Sequence, residues 1–295
     1  MLLFFKMLCF LGLLPCYSCA KNLGAASLGM NLPPPMFPEA DDRGQFREKT
    51  LEGTALGGIV YHPDDASFGG GLRFSQTNGG ANFARRTDNR PSRLYGFVNT
   101  FGFFNVGRYR LRNPRYRTHH GNYSYVDLGG GVGGGLVLRL HQRWWVQFGW
   151  MGALGFEGGS WGALADITRE SAAGVVVADP RRVGSGSFTD DLAAHSLLGF
   201  HVFARTQIRL TERSRINLGG GYQMGRRHEG SVPLVEFNAG LENGPWELLA
   251  RRVVTLPSSA RRSLVSGWTL GVRRRLIPQE HPESLPEPDP DWHRF

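Results

Sequence analysis

The chain has 295 residues, a formal net charge of +9 at pH 7, 41 glycines and a mean hydropathy of −0.28. Beyond the first 20 residues, no stretch reaches the roughly 18–20 apolar residues of a membrane-spanning helix, which excludes helical membrane proteins. The three cysteines, Cys9, Cys16 and Cys19, all lie in those first 20 residues, so a disulfide framework in the rest of the chain is excluded.

Residues 1–20 are typical of a secretory signal peptide. Lys6 gives a positive start, residues 7–14 form a short apolar core, and small residues up to Ala20 offer a cleavage site. Cleavage after Ala20 leaves a chain without cysteine. Lipidation at Cys19 is the alternative to this cleavage.

Proline-rich segments flank the central part of the chain. Residues 21–52 include the run Pro33, Pro34 and Pro35, and we expect a flexible periplasmic N-terminal segment there. Residues 278–295 combine prolines with acidic residues, which predicts a disordered tail. The basic balance of the chain would fit a nucleic-acid binder, but the secretory start and the absence of a basic helix argue against one.

The first candidate strands lie in residues 53–61, 68–75 and 95–111. Residues 53–61 are apolar on both faces. In residues 95–111 aromatic side chains alternate with glycine, threonine and arginine. The alternation predicts aromatic side chains on the outer face and Arg108 and Arg110 on the inner, polar face.

The clearest pattern spans residues 126–141. Its even positions are apolar or small throughout, whereas its odd positions run from Asp127 through glycines to Arg139 and His141. A period of two indicates an extended strand with two different faces. The stretch is longer than the 9–11 residues that a membrane-spanning strand needs, and its apolar-out, polar-in alternation is typical of a transmembrane β-barrel.

Similar alternation recurs to the end of this region. The segments are residues 144–158, 198–210, 216–224, 235–242, 246–256 and 264–276. Residues 246–256 fit either phase. The sequence therefore predicts an all-β fold over residues 53–277, a transmembrane, antiparallel, up-and-down β-barrel of 8–10 strands.

The connections between these segments differ in length. Residues 141–143, 211–215 and 242–245 make short links, whereas residues 160–191 form a long one. Barrels of this type have short periplasmic turns and longer external loops. If residues 160–191 are external, both termini lie on the periplasmic side and the number of strands is even.

Charged and polar residues at inward positions are the candidates for lining a pore. They are Arg73, Asp127, Arg139, Gln147, Glu157, His195, His201, Arg205, Arg209, Glu236, Arg273 and Arg275. Two interpretations remain open at this point. The charges pair across a filled interior, as a barrel of about eight strands permits, or excess positive charge lines a narrow path that favours anions. Inner glycines leave room for long side chains in either case.

The segment between residues 108 and 120 is basic and is predicted to be external. Its arginines are Arg108, Arg110, Arg112, Arg115 and Arg117. Such a cluster attracts acidic polysaccharides or proteins, and we take it as the candidate site for external partners.

Other motifs indicate no chemistry of their own. Gly129, Gly131 and Gly134 match a dinucleotide fingerprint in spacing only, because they lie inside one strand with no helix after it. His195 and His201 are about 20 Å apart along a strand and do not form a local metal pair. Acids and a histidine near residues 160–195 could form a rim site, but we expect no enzyme, no cofactor and no metal.

With these strands in place, the chain resembles the small outer-membrane barrels of diderm bacteria, of the OmpW-like and OmpA-membrane-domain-like types. The resemblance covers residues 53–277 and rests on the alternation, on aromatic strand ends such as Trp144, Phe156 and Trp268, and on the unequal connections. It implies export by a cleavable signal to the outer membrane, contact with its lipids and insertion by the barrel-assembly machinery.

We therefore expect a narrow channel or porin for small or hydrophobic solutes with a basic lumen. OmpW-like proteins are associated with uptake of small hydrophobic molecules, but no residue of this chain identifies that activity here. The alternative is a structural or host-facing, adhesin-like surface protein that binds acidic partners through its external loops.

Overall fold

The computed structural model describes residues 33–37, 49–61, 66–80, 94–112, 120–141, 143–160, 196–227, 230–255 and 266–276. The predicted signal peptide, residues 1–20, and the predicted tail, residues 278–295, lie outside the described residues, as do His195, Arg115 and Arg117. In the part of the chain that is described, no helix has the length and hydropathy to span a bilayer.

Ten antiparallel strands close into one barrel, in the order β1-β10-β9-β8-β7-β6-β5-β4-β3-β2. They are β1 (Lys49–Tyr61), β2 (Ala66–Gly80), β3 (Leu94–Leu111), β4 (Gly121–His141), β5 (Trp144–Gly158), β6 (Ser196–Arg209), β7 (Ser214–Arg227), β8 (Gly230–Asn243), β9 (Trp246–Thr255) and β10 (Ser266–Arg275). Every strand pairs with its neighbours in sequence, and β1 pairs with β10 to close the sheet. The predicted antiparallel, up-and-down barrel is confirmed, with the upper number of strands.

The predicted alternation holds in β4. Its odd-numbered residues face the interior, where Asp127 and Val137 are fully buried, and its even-numbered residues face outward, where Leu128 is 60% exposed. Strands β5, β6, β7, β8 and β10 follow their predicted phases as well. Large apolar side chains cover the outer surface of the barrel; they include Phe68, Leu72, Phe74, Phe104, Leu154, Phe156, Phe237, Leu248 and Leu270.

The phase predicted for β3 is wrong. Its aromatic residues, among them Phe97, Phe101 and Phe103, face the interior and are buried, whereas Arg108 and Arg110 face outward and are exposed. Both faces of β3 carry apolar side chains, because Phe104 faces outward and is 43% exposed. Hydrophobicity alone therefore does not distinguish the inner face of this strand from the outer one.

Glycines of β4 explain why the aromatic rings of β3 turn inward. Phe101 is in register with Gly131, and a Cβ atom built on that glycine would lie 2.5 Å from the Phe101 Cζ atom. Gly129 stands in the same relation to Phe103, also at 2.5 Å. The inner glycines therefore leave room for rings on the neighbouring strand, in agreement with the role expected for small inner residues.

The sequence of β9 fits either phase, and the structure has the phase in which charged residues face the interior. Glu247 and Arg251 face the interior at 0% and 1% exposure, whereas Leu248 faces outward at 58%. Arg252 also faces outward, with its guanidinium carbon 5.3 Å from the centre of the Trp268 ring.

The two rims of the barrel have different connections. At the terminal rim, where β1 begins and β10 ends, residues 142–143, 210–213 and 244–245 make short connections, and Gly244 takes a positive φ of 57° in the last of them. Residues 81–93 are a longer connection at this rim, which departs from the prediction of short turns. At the opposite, loop rim, residues 159–195 form the longest connection.

We expect Leu136→Arg to destabilise the barrel by about 2–4 kcal/mol in phospholipid vesicles, the cost of an arginine near the bilayer midplane. Leu136 is 41% exposed on the outer face of β4, about 13 Å along the strand from Leu140 near the terminal rim. Leu140→Arg is the matched control and should cost about 0–1 kcal/mol, because its side chain reaches the headgroups. Urea unfolding followed by tryptophan fluorescence measures both; equal losses would contradict a membrane-facing surface here.

Candidate functional site in the barrel lumen

A short stretch of the N-terminal region lies inside the barrel. We call this stretch, Pro33–Phe37, the lumen segment. All of its residues are buried, with Met36 at 2% and Phe37 at 1% exposure. The sequence predicts a flexible periplasmic segment over residues 21–52. Of these, residues 33–37 lie inside the barrel, and residues 49–52 belong to β1, which begins at Lys49 rather than at residue 53. Three successive prolines suit this place, since they carry no N–H groups that would need partners after burial.

Inward-facing arginines hold the lumen segment by its backbone carbonyls. The pairs are Arg73 with Pro33, Arg273 with Pro34 at 2.5 Å, Arg205 with Pro35, and Arg275 with Phe37 at 3.1 Å. These arginines come from β2, β6 and β10, so the segment touches several sides of the barrel. Charge-assisted bonds of this kind are stronger than bonds between neutral groups.

A carboxylate completes the anchoring of the lumen segment. The backbone N–H of Met36 donates to Glu52 Oε2 at 2.9 Å, and the Ser75 hydroxyl donates to Glu52 Oε1 at 2.5 Å. Glu52 lies one residue before the predicted start of the barrel at residue 53, and for that reason it is absent from the predicted inward residues.

An aromatic cluster receives the side chain of Phe37. The cluster includes buried residues of β3, β5 and β6, among them Phe97, Phe101, Met151 and Phe203. The guanidinium carbon of Arg205 lies 4.7 Å from the centre of the Phe37 ring, within the range of a cation–π contact. The lumen segment is thus bound both by its polar backbone and by its apolar side chain.

Glu236 is the centre of a buried polar network. Arg251 donates to Glu236 Oε1 from Nε at 3.0 Å and also bonds Oε2. Gln223 donates to Oε2 at 2.6 Å, Asn238 donates to Oε1 at 2.9 Å, and His201 Nε2 lies 3.5 Å from Oε2. The carboxylate is fully buried, and these donors replace its hydration.

Two further carboxylates are paired nearer the terminal rim. Glu247 lies 3.4 Å from Arg273 Nε and accepts a bond from Asn217 at 2.8 Å. Glu242 pairs with Arg275 at 2.8 Å and with Arg215 at 3.1 Å. Together with Glu236, they give the interior the paired charges expected for a filled barrel.

The buried charges balance among the described residues, which differs from the predicted basic lumen. Five buried arginines, Arg73, Arg205, Arg251, Arg273 and Arg275, stand against the five buried acids Glu52, Asp127, Glu236, Glu242 and Glu247. Partly exposed arginines with inward register, Arg139, Arg209 and Arg215, add positive charge near the terminal rim. Arg209 Nε donates to the Thr211 carbonyl at 3.3 Å and so supports a turn.

The structure places most of the predicted pore-lining residues on the inner face. The buried ones are Arg73, Asp127, Gln147, His201, Arg205, Glu236, Arg273 and Arg275. Glu157 belongs to β5 with Asp127 as its register partner, but its side chain is outside the described residues, as is the whole of His195.

The predicted external arginines divide into strand and loop residues. Arg108 and Arg110 belong to β3 rather than to a loop, near the loop rim, and Arg112 follows directly; all three side chains are exposed. Arg115 and Arg117 lie outside the described residues. Within the described part of the chain, no group of His, Cys, Asp and Glu side chains is placed to hold a metal ion.

No protein-family profile matches the sequence, and no curated protein matches it. Similar solved structures include an outer membrane channel from Pseudomonas putida F1, at 7% identity and TM-score 0.42, covering 83% of this chain and 99% of that chain. The β domain of the Bordetella autotransporter BrkA matches at 11% identity and TM-score 0.39, with 77% and 99% covered. Neisserial surface protein A matches at 12% identity and TM-score 0.31, with 78% and 97% covered.

Proposed function

We propose that this chain is an outer-membrane channel for small solutes whose passage is closed by the lumen segment. The observation that carries the proposal is the position of residues 33–37, buried between arginines of three strands. Solute transport is favoured over catalysis, since the buried acids Glu236, Glu242 and Glu247 are each paired with an arginine.

The width of the barrel supports a passage. Side chains alone fill the interior of a barrel of about eight strands. Ten strands enclose a wider interior, and part of it is occupied by a peptide rather than by side chains of the wall. Removing that peptide would leave room along the axis, lined by the arginines that now bind it.

The lumen segment is attached in a way that permits release. Residues 33–37 pair with none of the ten strands, and their polar contacts in the described structure are side-chain bonds to the wall. Residues 38–48 join the segment to β1. Withdrawal of the segment would therefore break no bond of the barrel ladder.

The outer surface supports a membrane location. Exposed apolar side chains cover the outward face, and Trp144 and Trp246, at 46% and 47% exposure, stand at the terminal rim where an aromatic girdle is expected. With the predicted export signal, this favours the outer membrane of a diderm bacterium, its lipids and its barrel-assembly machinery as the surroundings of the chain.

Single-channel recording of the refolded chain in planar bilayers, with and without urea, tests the proposal. We expect the chain to be silent in buffer and to show reversible conductance steps in urea, because urea weakens the contacts of the short segment before the barrel unfolds. Large steps in buffer alone would mean an open pore. Silence in urea, with the barrel still folded by circular dichroism, would contradict a channel.

Exposed arginines favour binding of an acidic surface partner as a second candidate function. Arg108, Arg110 and Arg112 are exposed at the loop rim. We expect their joint replacement by Gln to lower the salt concentration that releases heparin from intact cells displaying the protein, since each lost contact reduces the electrostatic attraction. Replacing Arg143 and Arg213 by Gln at the terminal rim, which is predicted to face the periplasm, is the control on the same cells and should change nothing. Unchanged heparin binding after the triple replacement would contradict this function.

A further inference from the structure

Arg73 and Arg205 differ from the other buried arginines of the lumen. They are 3% and 2% exposed, yet all of their hydrogen bonds in the described structure go to neutral groups. Arg73 bonds the carbonyl of Pro33, the Asn99 side chain and the sulfur of Met151. Arg205 bonds only the carbonyl of Pro35 and the Gln147 side chain. Arg251, Arg273 and Arg275, by contrast, each lie within ion-pair distance of a glutamate.

Each of these two guanidinium groups also has a donor to spare. Arg73 Nε and Arg205 Nη1 are buried without a hydrogen-bond partner among the described residues. Arg273 also has unused donors, but it lies within ion-pair distance of Glu247. Carboxylates of the lumen act on both arginines only from beyond ion-pair distance, Glu52 on Arg73 and Glu247, Glu52 and Glu236 on Arg205. A buried cation without a direct ion pair is costly, and an unused buried donor adds to that cost. The pair is therefore better matched to an anion than to the neutral carbonyls that occupy it.

The two arginines reach the lumen segment from different sides of the barrel, Arg73 from β2 and Arg205 from β6. They bind the carbonyl oxygens of Pro33 and Pro35, two residues whose Cα atoms are at most about 7 Å apart. One small anionic group placed between them could accept from both, because guanidinium groups match carboxylates in geometry as well as in charge.

An apolar wall adjoins this pair. Arg73 lies over the Phe101 ring, with its guanidinium carbon 4.2 Å from the ring centre, and Arg205 lies over the ring of Phe37. Phe37 itself packs in the cluster that contains Phe101, Met151 and Phe203. The lumen segment thus presents oxygen acceptors to the arginines and an aromatic ring to this wall.

We propose that, once the lumen segment leaves, Arg73 and Arg205 bind the carboxylate of a solute whose aromatic body takes the place of the Phe37 ring. The inference rests on the proposed channel function, because it requires the segment to vacate the lumen, and it names the class of solute. The lumen segment then acts as a competitor whose carbonyls and phenyl ring imitate such a solute.

Calorimetric titration of the detergent-solubilised protein tests this directly, with phenylacetate as the probe and phenylacetamide as its neutral counterpart. In a chain lacking residues 33–37, we expect phenylacetate to bind at least roughly tenfold more tightly than the amide, the difference of about one charge-assisted bond. The complete chain should bind phenylacetate at least about tenfold more weakly than the deletion variant, because the segment competes.

Variants of the deletion chain show whether the two arginines make the site. Arg73→Met and Arg205→Met should each weaken phenylacetate binding by roughly tenfold or more, whereas Arg252→Met, on the outward face of β9 against Trp268, should leave it unchanged. Heat-dependent gel mobility checks folding. If a Met variant does not fold, Arg73→Lys and Arg205→Lys keep the charge and should lose only part of the affinity.

The outcomes separate this inference from the channel proposal. Equal binding of acid and amide, or tight binding that survives both Met substitutions, would overturn the carboxylate site even in a variant that conducts. Acid-selective binding in a variant that does not conduct would support the site and contradict the channel.

Discussion

We expect deletion of residues 33–37 to convert a barrel that does not conduct into a channel that conducts each time a molecule inserts into a bilayer. The channel should prefer anions. The lumen segment is held by charge-assisted bonds from four arginines. Each bond has a net value of roughly 1.5–3 kcal/mol, so the four together contribute about 6–12 kcal/mol. This total exceeds the approximately 5.5 kcal/mol that would shift the equilibrium between the closed and open states from 1:99 to 99:1. Complete loss of these bonds should therefore abolish the closed state.

The expected anion preference follows from the charges that the deletion exposes. Arg73 and Arg205 lose neutral partners, and the partly exposed Arg139, Arg209 and Arg215 add positive charge near the terminal rim. Reversal potentials under a salt gradient measure this preference. A smaller effect on channel opening is expected for Arg205→Met in the complete chain, which removes one of the four bonds. Its ratio of open to closed time should rise by roughly tenfold to a hundredfold.

A matched control removes five other residues of the same region. Deletion of residues 23–27 shortens the N-terminal region equally but keeps the lumen segment, so this variant should remain closed. If both deletions conduct equally, the length of the region rather than its contact with the arginines closes the barrel. If neither conducts, the interior is closed by the side chains of the wall.

The parts of the fold that could be predicted from sequence are those in which one face is clearly polar. In β4, glycines and Asp127 alternate with leucine and valine, so the inner face is unambiguous. In β3, Phe101 and Phe104 lie on opposite faces, and their orientation depends on the glycines of the neighbouring strand. The sequence of β3 alone does not specify which residues of β4 it pairs with, and this explains why the prediction for β3 has the two faces exchanged.

The lumen segment was missed for a related reason. Three successive prolines exclude a central strand and indicate an extended segment, but they do not say where that segment lies. Its position depends on arginines far away in sequence, such as Arg273, which is separated from Pro34 by 239 residues. Arg251 was not predicted because the charges of β9 fit either phase until Glu236 on β8 is placed opposite that strand.

The Glu236 network should dominate the stability of the barrel. Arg251→Met is expected to lower the free energy of unfolding by about 3–5 kcal/mol, because it leaves a buried carboxylate without its main counter-charge. Glu236 and Arg251 are both fully buried at their charged ends, so water cannot replace the lost partner. The midpoint of urea unfolding in vesicles, followed by tryptophan fluorescence, measures the loss.

The neighbouring residue provides a control for this substitution. Arg252→Met changes the same side chain in the same strand, but on the outward face against Trp268, and should cost no more than about 1 kcal/mol. Adding Glu236→Gln to Arg251→Met removes the unpaired charge and should recover most of the loss, since the neutral amide keeps an acceptor for Gln223 or Asn238. If the double variant is no more stable than Arg251→Met alone, the loss comes from packing around the arginine stem rather than from the stranded carboxylate. An equal loss at Arg252 would mean that the two faces of β9 are not distinct.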